Sequence, residues 1–586
     1  MLKPSQDIQS KALALIKECF AEAERLSRPR RNDRVRIYRA YSTFWQPQES
    51  NWSSSFKVNK AHEVVEKILP RIIAKNPKWV VSSRNESVTS EHANGVQDYL
   101  TYIWDEYNQT EPARLWAKNM LIYGKGYAKI KYKYETAIVP TIDGKSEEKV
   151  VGEYPTIDVK SWTDMFYDPR YIMMRDRPYE IELVEGVRLG DIMKKKDLYF
   201  NLDKLEAIGN LKNSTSDLDE YKQRLMNIAG IQDINSEDKI DPNALKLKIY
   251  YGYFNESDDP IKEKMYKICT VGDALVLSYE EITQMPFEEI KCFEDPETSD
   301  ARGFVEPIIS LQDELNFSKN SASEYINKSL TRQMIWSEFS GIDPRDINSP
   351  VIATSKDGQT ALANFVELPH REINSSYFQK DNDIERQIQS MTFTVDTSNQ
   401  KNQQALTNTA TGIRVKFFES NSVIDEVRKH FEQGLERLAY KLLQSTFDNL
   451  QDNIVIKKQG TEGYWEMNKE LLRDAITKYS IKVETNSSSF DDVESRREDA
   501  IAFFNIALQA AQAGVPVDMA KAYKEVVGTF EKKDPAAYMQ MPDIQQVVAG
   551  MPMGNARPIP NEAPAQSPAA ALTEQVAKGG LTSAIK

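Results

Sequence analysis

A chain of 586 residues with 88 acidic and 75 basic side chains, a net charge of -13, is long enough for several domains or one large elaborated fold. Hydrophobic residues make up 40% and charged residues 28%, so most of the chain should bury a core, and no run approaches the roughly 18 continuous apolar residues of a membrane span. The acidic balance argues against a protein that coats nucleic acid through a broad basic surface.

Residues 5–27 read as an amphipathic helix that Pro29 should stop or kink. Residues 59–75, 90–107 and 111–123 read as three more, the last ended by Gly124. Tyr127–Tyr134 alternates as a strand, with Ala128, Ile130, Tyr132 and Tyr134 on one side. A hairpin turn is expected at Asp143-Gly144, with Lys149–Tyr154 as the return strand. Ser161–Pro169 ends in a turn signal, and 185–245 looks helical around a polar stretch, Asn213–Ser216. Strands are expected at Leu245–Phe254, Met265–Thr270 and Ala274–Ser278. The first 300 residues therefore read as an α+β body and not as an alternating βαβ array.

The middle of the chain has a different rhythm. Residues 306–332 carry Ile308, Leu311, Leu315, Ala322 and Tyr325 on one helical stripe. Gly341, Pro344, Pro350, Gly358 and Pro369 break 333–369 into short strands and turns. In 371–392, Tyr377, Ile384, Ile388 and Met391 share one helical face, and Ser375, Gln379, Asn382 and Arg386 share the opposite, polar one. Phe393–Asn408 is polar and almost neutral, unfit for a core or a conventional strand. Residues 410–450 then hold one unbroken stripe, Ile413, Phe417, Ile424, Val427, Phe431, Leu435, Leu438 and Leu442, on a helix about 60 Å long. Such a length suits an extended subunit packed on neighbours, since the usual globular helix has about 11–12 residues. Strands at Ile454–Lys457 and Tyr479–Glu484 precede helices at about 493–512 and to about 531. From Met541 the composition turns to Pro, Ala, Gly, Gln and Met, which is expected to be disordered.

The search for catalytic chemistry is mostly negative. His62, His92, His370 and His430 are isolated from one another and from cysteine, so no helical zinc motif forms; His430 is expected on an exposed helix side. Cys19, Cys269 and Cys292 lie far apart, giving neither a disulfide framework nor a paired metal motif and fitting a reducing, cytosolic assembly environment. The amino-terminal residues carry no continuous apolar core, so no signal peptide is expected. Gly124-Lys125-Gly126-Tyr127 lacks the spacing and the hydroxyl of a phosphate loop, follows a helix and precedes a strand, and reads instead as a helix cap and tight turn. Paired carboxylates such as Glu288-Glu289 and Asp491-Asp492 read as solvated charge. Arg28, Arg30, Arg31, Arg34, Arg36 and Arg39, followed by Tyr38, Tyr41, Phe44 and Trp45, form one basic cluster. It could meet phosphate, or be a solvated helix face or a protein contact.

The order of elements, together with LIYGKGYAKIKY at 121–132, SWTDMFYDP at 161–169 and RGFVEPIISLQDELNFSKNSASEYINKSL at 302–330, resembles the portal protein of tailed double-stranded DNA bacteriophages over roughly 30–540. The resemblance implies a portal fold: 1–305 as the wing, 306–332 and 371–392 as two stem helices, 333–370 as the clip, 393–409 as the tunnel loop, 410–492 as the rest of the wing and 493–540 as a helical crown, with 541–586 a disordered tail. It implies no enzyme and no cofactor. It further implies a ring of twelve subunits at one capsid vertex, built in the host cytoplasm among major capsid and scaffolding proteins. The terminase docks on the clip, head-completion or tail adaptor proteins replace it, and double-stranded DNA passes through the channel. By position, Asn399, Gln400, Lys401, Asn402 and Gln403 of the tunnel loop and Ser375, Gln379, Asn382 and Arg386 of the stem should face that DNA. An acidic conduit with a neutral amide-rich loop makes chemical sense, because every cation held on a phosphate adds affinity and so drag. A packaging ATPase or nuclease would need the missing nucleotide loop; a head–tail adaptor or minor capsid protein remains as a non-enzymatic alternative.

Overall fold

The computed structural model describes residues 3–42, 56–73, 76–84, 90–140, 146–194, 198–208, 217–230, 244–256, 262–330, 334–336, 365–367, 376–394, 410–450, 453–457, 463–484 and 493–512, with 522 and 526. The chain divides into two units, Met1–Ile506 and Ala507–Lys586. The architecture below belongs to the first, except that residues 507–512 of its last helix fall in the second. The described residues of the second, 507–512, 522 and 526, are helical.

Helix α1 (Gln6–Tyr41) opens on Ser5, whose side chain accepts from the Ile8 amide. It runs on past Pro29 for 36 residues, so the helix does not stop there, as one alternative of the expectation had it. The helix is held on both sides of the proline. Ala12, Ile16, Phe20 and Ala23 are buried before it, and after it Arg30 and Arg31 bond to Glu306 and to the Thr163 and Met165 carbonyls. Those contacts offset one lost helical hydrogen bond.

Helices α2 (Lys60–Ile72), α3 (Ser90–Glu106) and α4 (Thr110–Tyr123) follow as the periodicity predicts, with strand β1 (Trp79–Ser83) between the first two. Asn59 caps α2 by accepting from the His62 amide at 2.9 Å. Gly124 ends α4 at φ 85°, where glycine has no steric penalty. A Cβ there would lie 2.1 Å from the Ala301 carbonyl oxygen, and one at Gly126 2.6 Å from that of Trp116. The pair of glycines around Lys125 is thus explained by backbone meeting backbone.

Strands β2 (Lys125–Pro140) and β3 (Ser146–Lys160) pair antiparallel with a register shift at Glu135/Thr136. The hairpin is longer than expected, and its turn at Asp143-Gly144 lies outside the described residues. Tyr134, assigned to the same side as Ala128, is 47% exposed because the hairpin outruns the body that covers its base.

Strands β4 (Met165–Tyr167), β5 (Tyr179–Arg188), β6 (Ala244–Phe254), β7 (Lys264–Val271) and β8 (Leu275–Glu281) form an antiparallel sheet in that order. Its strands alternate faces. Tyr250 and Phe254 of β6 join the core under the amino-terminal half of α1. Leu245 and Leu247 join a second core with Ile192 and Leu205, from the short helices α5 (Leu189–Lys194) and α6 (Leu202–Ile208). The segment 185–245, expected to be helical around a polar stretch, therefore begins as the end of β5, and its described residues hold three short helices, the third being α7 (Asp217–Ile228), before β6 begins.

Strand β9 (Phe287–Lys291) adds to β2 on the side away from β3. Strands β10 (Phe293–Glu294) and β11 (Ala301–Arg302) pair just before the next helix. Helix α8 (Ile309–Leu330) follows a 3-10 turn at Glu306–Ile308. Strands β12 (Met334–Trp336) and β13 (Phe365–Glu367) then pair antiparallel, as the broken pattern of 333–369 predicts. Helix α9 (Ser376–Met391) returns and packs on α8.

Helix α10 (Ala410–Asn449) spans 40 residues. Of its stripe, Ile424, Val427, Phe431, Leu435, Leu438 and Leu442 are all buried; the side chains of Ile413 and Phe417 lie outside the described set. Phe431 sits 5.8 Å from Trp116 of α4. The hairpin of β14 (Ile454–Lys457) with β15 (Tyr464–Met467) leads to α11 (Lys469–Lys478), β16 (Tyr479–Val483) and α12 (Val493–Gln512). Strand β16 pairs with β1, from Trp79↔Val483 to Ser83↔Tyr479. Residues 541–586 and the helix expected up to 531, apart from 522 and 526, lie outside the described residues.

Candidate functional site

Helix α9 has one buried and one bare side. Ile384 and Ile388 are buried in the main core, whereas Gln379, Asn382 and Arg386 are exposed, as their 3.6-residue spacing predicts. Arg386 lies 3.4 Å from Asp383, both side chains more than 60% exposed. An exposed pair of this kind is worth little. Met391, assigned to the apolar face, is 52% exposed, because the helix ends there in a turn through Thr392 and Phe393. Two ion pairs bind α9 to α8: Lys380 with Glu314, and Lys319 with Glu385 at 3.5 Å. Ser375 and the loop residues Asn399, Gln400, Lys401, Asn402 and Gln403 lie outside the described residues. The helix end that leads into that loop is well defined. The Thr394 amide donates to the Gln389 carbonyl at 3.1 Å and the Thr392 amide to Ile388 at 3.0 Å, with Phe393 at φ 55°. This is the left-handed cap that closes many helices.

The opposite flank of α8 is fixed by amides that the sequence pattern did not reveal. Gln312, Asn316 and Asn320 fall at i, i+4 and i+8, one above another on the helix, and all are buried. Their side-chain oxygens accept from the main-chain N–H groups of Ala61, Val58 and Phe56 at 2.8, 2.7 and 2.7 Å. Asn320 also donates to the Phe56 carbonyl at 2.9 Å, and Gln312 to that of Ala40 at 3.0 Å. Three side chains of α8 thereby hold an extended segment entering α2, and with it the end of α1. The signal was present as polar residues at helical spacing, but that signature also fits a solvated face.

A charge cluster lies beneath the sheet. Glu288 and Glu289, expected to be solvated, are 8% and 6% exposed. Glu289 accepts from Arg177 at 2.7 Å and lies 3.5 Å from Lys125. Arg177 also donates to Glu180 at 2.9 Å and stacks 3.9 Å from the Tyr167 ring centre. Burial pushes Glu289 upward, but Arg177 and Lys125 outweigh it and bring it down to about 2. Burial dominates at Glu180 and raises it to about 6. Lys125, the lysine of the dismissed phosphate loop, is 2% exposed and donates to Tyr167 at 3.0 Å, so it is a structural cation. The arginine cluster divides. Arg31 and Arg34 are buried, Arg34 lies 3.1 Å from Asp300, and Arg30 grips Glu306 with both nitrogens. These three hold the fold together, while Arg28, Arg36 and Arg39 are exposed. His430, expected on an exposed side, is half-buried and 3.3 Å from the Lys291 carbonyl.

Among the described residues no group of histidine, cysteine and carboxylate side chains could hold a metal ion, and no helix is long and apolar enough to cross a membrane. The family model described as phage SU10 portal protein matches residues 138–579, about three quarters of the chain. The chain belongs to this portal protein family. Portal proteins are structural components of the phage virion, placed at a capsid vertex where they connect head to tail and serve DNA packaging. The match takes in 185–245 and extends beyond residue 541. No curated protein matches the chain.

Proposed function

We propose that this portal protein forms a ring, most simply of twelve subunits, whose central channel carries double-stranded DNA during packaging and ejection. Helices α8 and α9 are the stem, the segment around β12 and β13 is the clip on which the terminase and then head-completion or tail adaptor proteins dock, and 393–409 is the tunnel loop. Gln379, Asn382 and Arg386, with Ser375 below them and Asn399–Gln403 above, line the passage. The family match over 138–579 carries this reading. The bare polar side of α9 supports it, because a neutral, amide-rich wall gives DNA only weak and replaceable contacts. The large apolar side chains left exposed on α12, Phe503 at 53% and Ile506 at 63%, support an assembled state in which they are covered. In this reading the protein has no catalytic role, requires no cofactor, and is built in the host cytoplasm among capsid and scaffolding proteins.

Negative-stain imaging of the purified protein tests it. Closed rings with a central hole are expected, and a monodisperse monomer or an open filament at every concentration overturns the proposal. A head–tail adaptor or minor capsid role would instead show as binding to preformed portal rings.

A further inference from the structure

The fold separates the arginines of α1 into an internal set and an outer set. Arg25, Arg28, Asn32, Arg36 and Arg39 are all exposed. Their offsets of three, four, four and three residues keep them within about 80° of arc at 100° per residue, on a stripe about 21 Å long. No large apolar side chain between Arg25 and Arg39 is exposed. Among the described residues, carboxylates near the stripe include Asp33, 3.9 Å from Arg30, Asp313 of α8 near Arg36, and Glu24 near Arg31; Arg28 and Arg39 also make contacts of their own. Helix α7 packs alongside and adds Arg224, which donates to Asn32 at 3.3 Å and pairs with Glu220.

We propose that this stripe grips the phosphate backbone of double-stranded nucleic acid, at a place distinct from the polar face of α9. Protein partners are usually met by a buried apolar or aromatic centre with charge at the rim. Among the described residues this surface has charge and amide groups and no such centre. A phosphate backbone asks for nothing else: a 21 Å length of duplex presents on the order of twelve phosphates, and guanidinium groups bind them in bidentate fashion. The local excess of cations stands out in a chain of net charge -13, which otherwise repels DNA. The channel reading requires weak contact, whereas this stripe would hold. The two proposals therefore stand or fall separately.

The test uses the purified full-length protein and a random-sequence 30-base-pair duplex, with binding followed by fluorescence anisotropy across a salt series. Changing Arg25, Arg28, Arg36 and Arg39 to Gln should weaken binding at least tenfold near 0.1 M salt. It should also flatten the log–log salt dependence by about 3–4, at 0.9 for each phosphate no longer neutralised. The milder pair Arg25→Gln and Arg36→Gln should give about half that change in slope, and guards against loss of fold in the larger variant. A control removes four exposed cations elsewhere, Lys131, Lys133, Arg175 and Lys204, each to Gln. An equal loss in the control, or no loss in the stripe variants, overturns the proposal. Unchanged DNA binding with loss of an acidic protein partner would assign the stripe to that partner instead. Ring formation in the same variants, read by imaging, reports on the channel proposal alone.

Discussion

Asn320 and Phe56 face each other as residues of adjacent strands do: the Asn320 side chain accepts from the Phe56 amide at 2.7 Å and donates to its carbonyl at 2.9 Å. A helix thereby satisfies the backbone of an extended segment 264 residues away in the chain. Asn320→Ala leaves two backbone groups without partners and should cost about 2–3 kcal/mol. Hydrogen exchange should accelerate at the Phe56 and Val58 amides before it does in β6. Unaltered protection at both would show that the segment is held by other contacts.

The buried carboxylates predict opposite slopes of stability with pH. Glu289, brought down from an ordinary 4.5 to about 2, contributes stability that is complete above about pH 4.5 and lost as the pH falls toward 2, about 3 kcal/mol in all. Glu180, raised from 4.5 to about 6, is favoured in its protonated form, so stability falls by about 2 kcal/mol as pH rises from 4.5 to 6. Glu180→Gln should remove that fall, and melting temperature against pH measures it. A decline of the same size in the variant would place its source elsewhere.

Arg177 is the cation that both carboxylates share. Arg177→Met should destabilise the protein by about 3–5 kcal/mol at neutral pH, since it strands Glu180 and weakens the hold on Glu289. Chemical denaturation gives the value, and a loss below 1 kcal/mol would mean that the network rearranges around Lys125.

Gly434 of α10 sets propensity against packing. Alanine is favoured over glycine in a helix by about 1 kcal/mol, yet a Cβ here would lie 2.3 Å from the Ile290 Cγ2. Ile290 is 1% exposed and β-branched, with little rotamer freedom to yield. Gly434→Ala should therefore destabilise, by about 1–3 kcal/mol net, and Phe431→Ala by about 3–5 kcal/mol from the cavity beside Trp116. A rise in melting temperature for Gly434→Ala would show that β9 shifts freely.

If 393–409 faces DNA, changing Asn399, Gln400 and Gln403 to lysine adds three cations per subunit to the channel wall. Packaging into procapsids should slow, with relief at higher salt as phosphate contacts are screened. Wild-type rates at both salts would remove these residues from the channel.

The long elements were legible because a 3.6-residue period survives any tertiary context: α8, α9 and α10 begin and end within a few residues of expectation. Strand β9 was not legible. Its sequence, Phe287-Glu288-Glu289-Ile290-Lys291, looks like surface, and what makes it core is Arg177 and Lys125, 112 and 164 residues away. Pro29, read as a stop, misled for a similar reason, since the contacts that carry α1 through it come from residues 163, 165 and 306. At the site, the bare face of α9 followed from spacing alone. The amides of α8 did not, because Gln312, Asn316 and Asn320 would look the same in water.

The pairing of β1 with β16 joins residues separated by roughly four hundred positions. At 5–20 residues per second, the ribosome needs about 20–80 s to deliver the second strand after the first. Until then Trp79 and Val81 have no partner strand, and the sheet edge stays open. A nascent or truncated chain that ends before β16 therefore presents an unfinished surface, unlike that of a mature subunit. Completion of the polypeptide is thus written into its shape, and under the ring proposal a fragment would meet its neighbours with that edge unfinished.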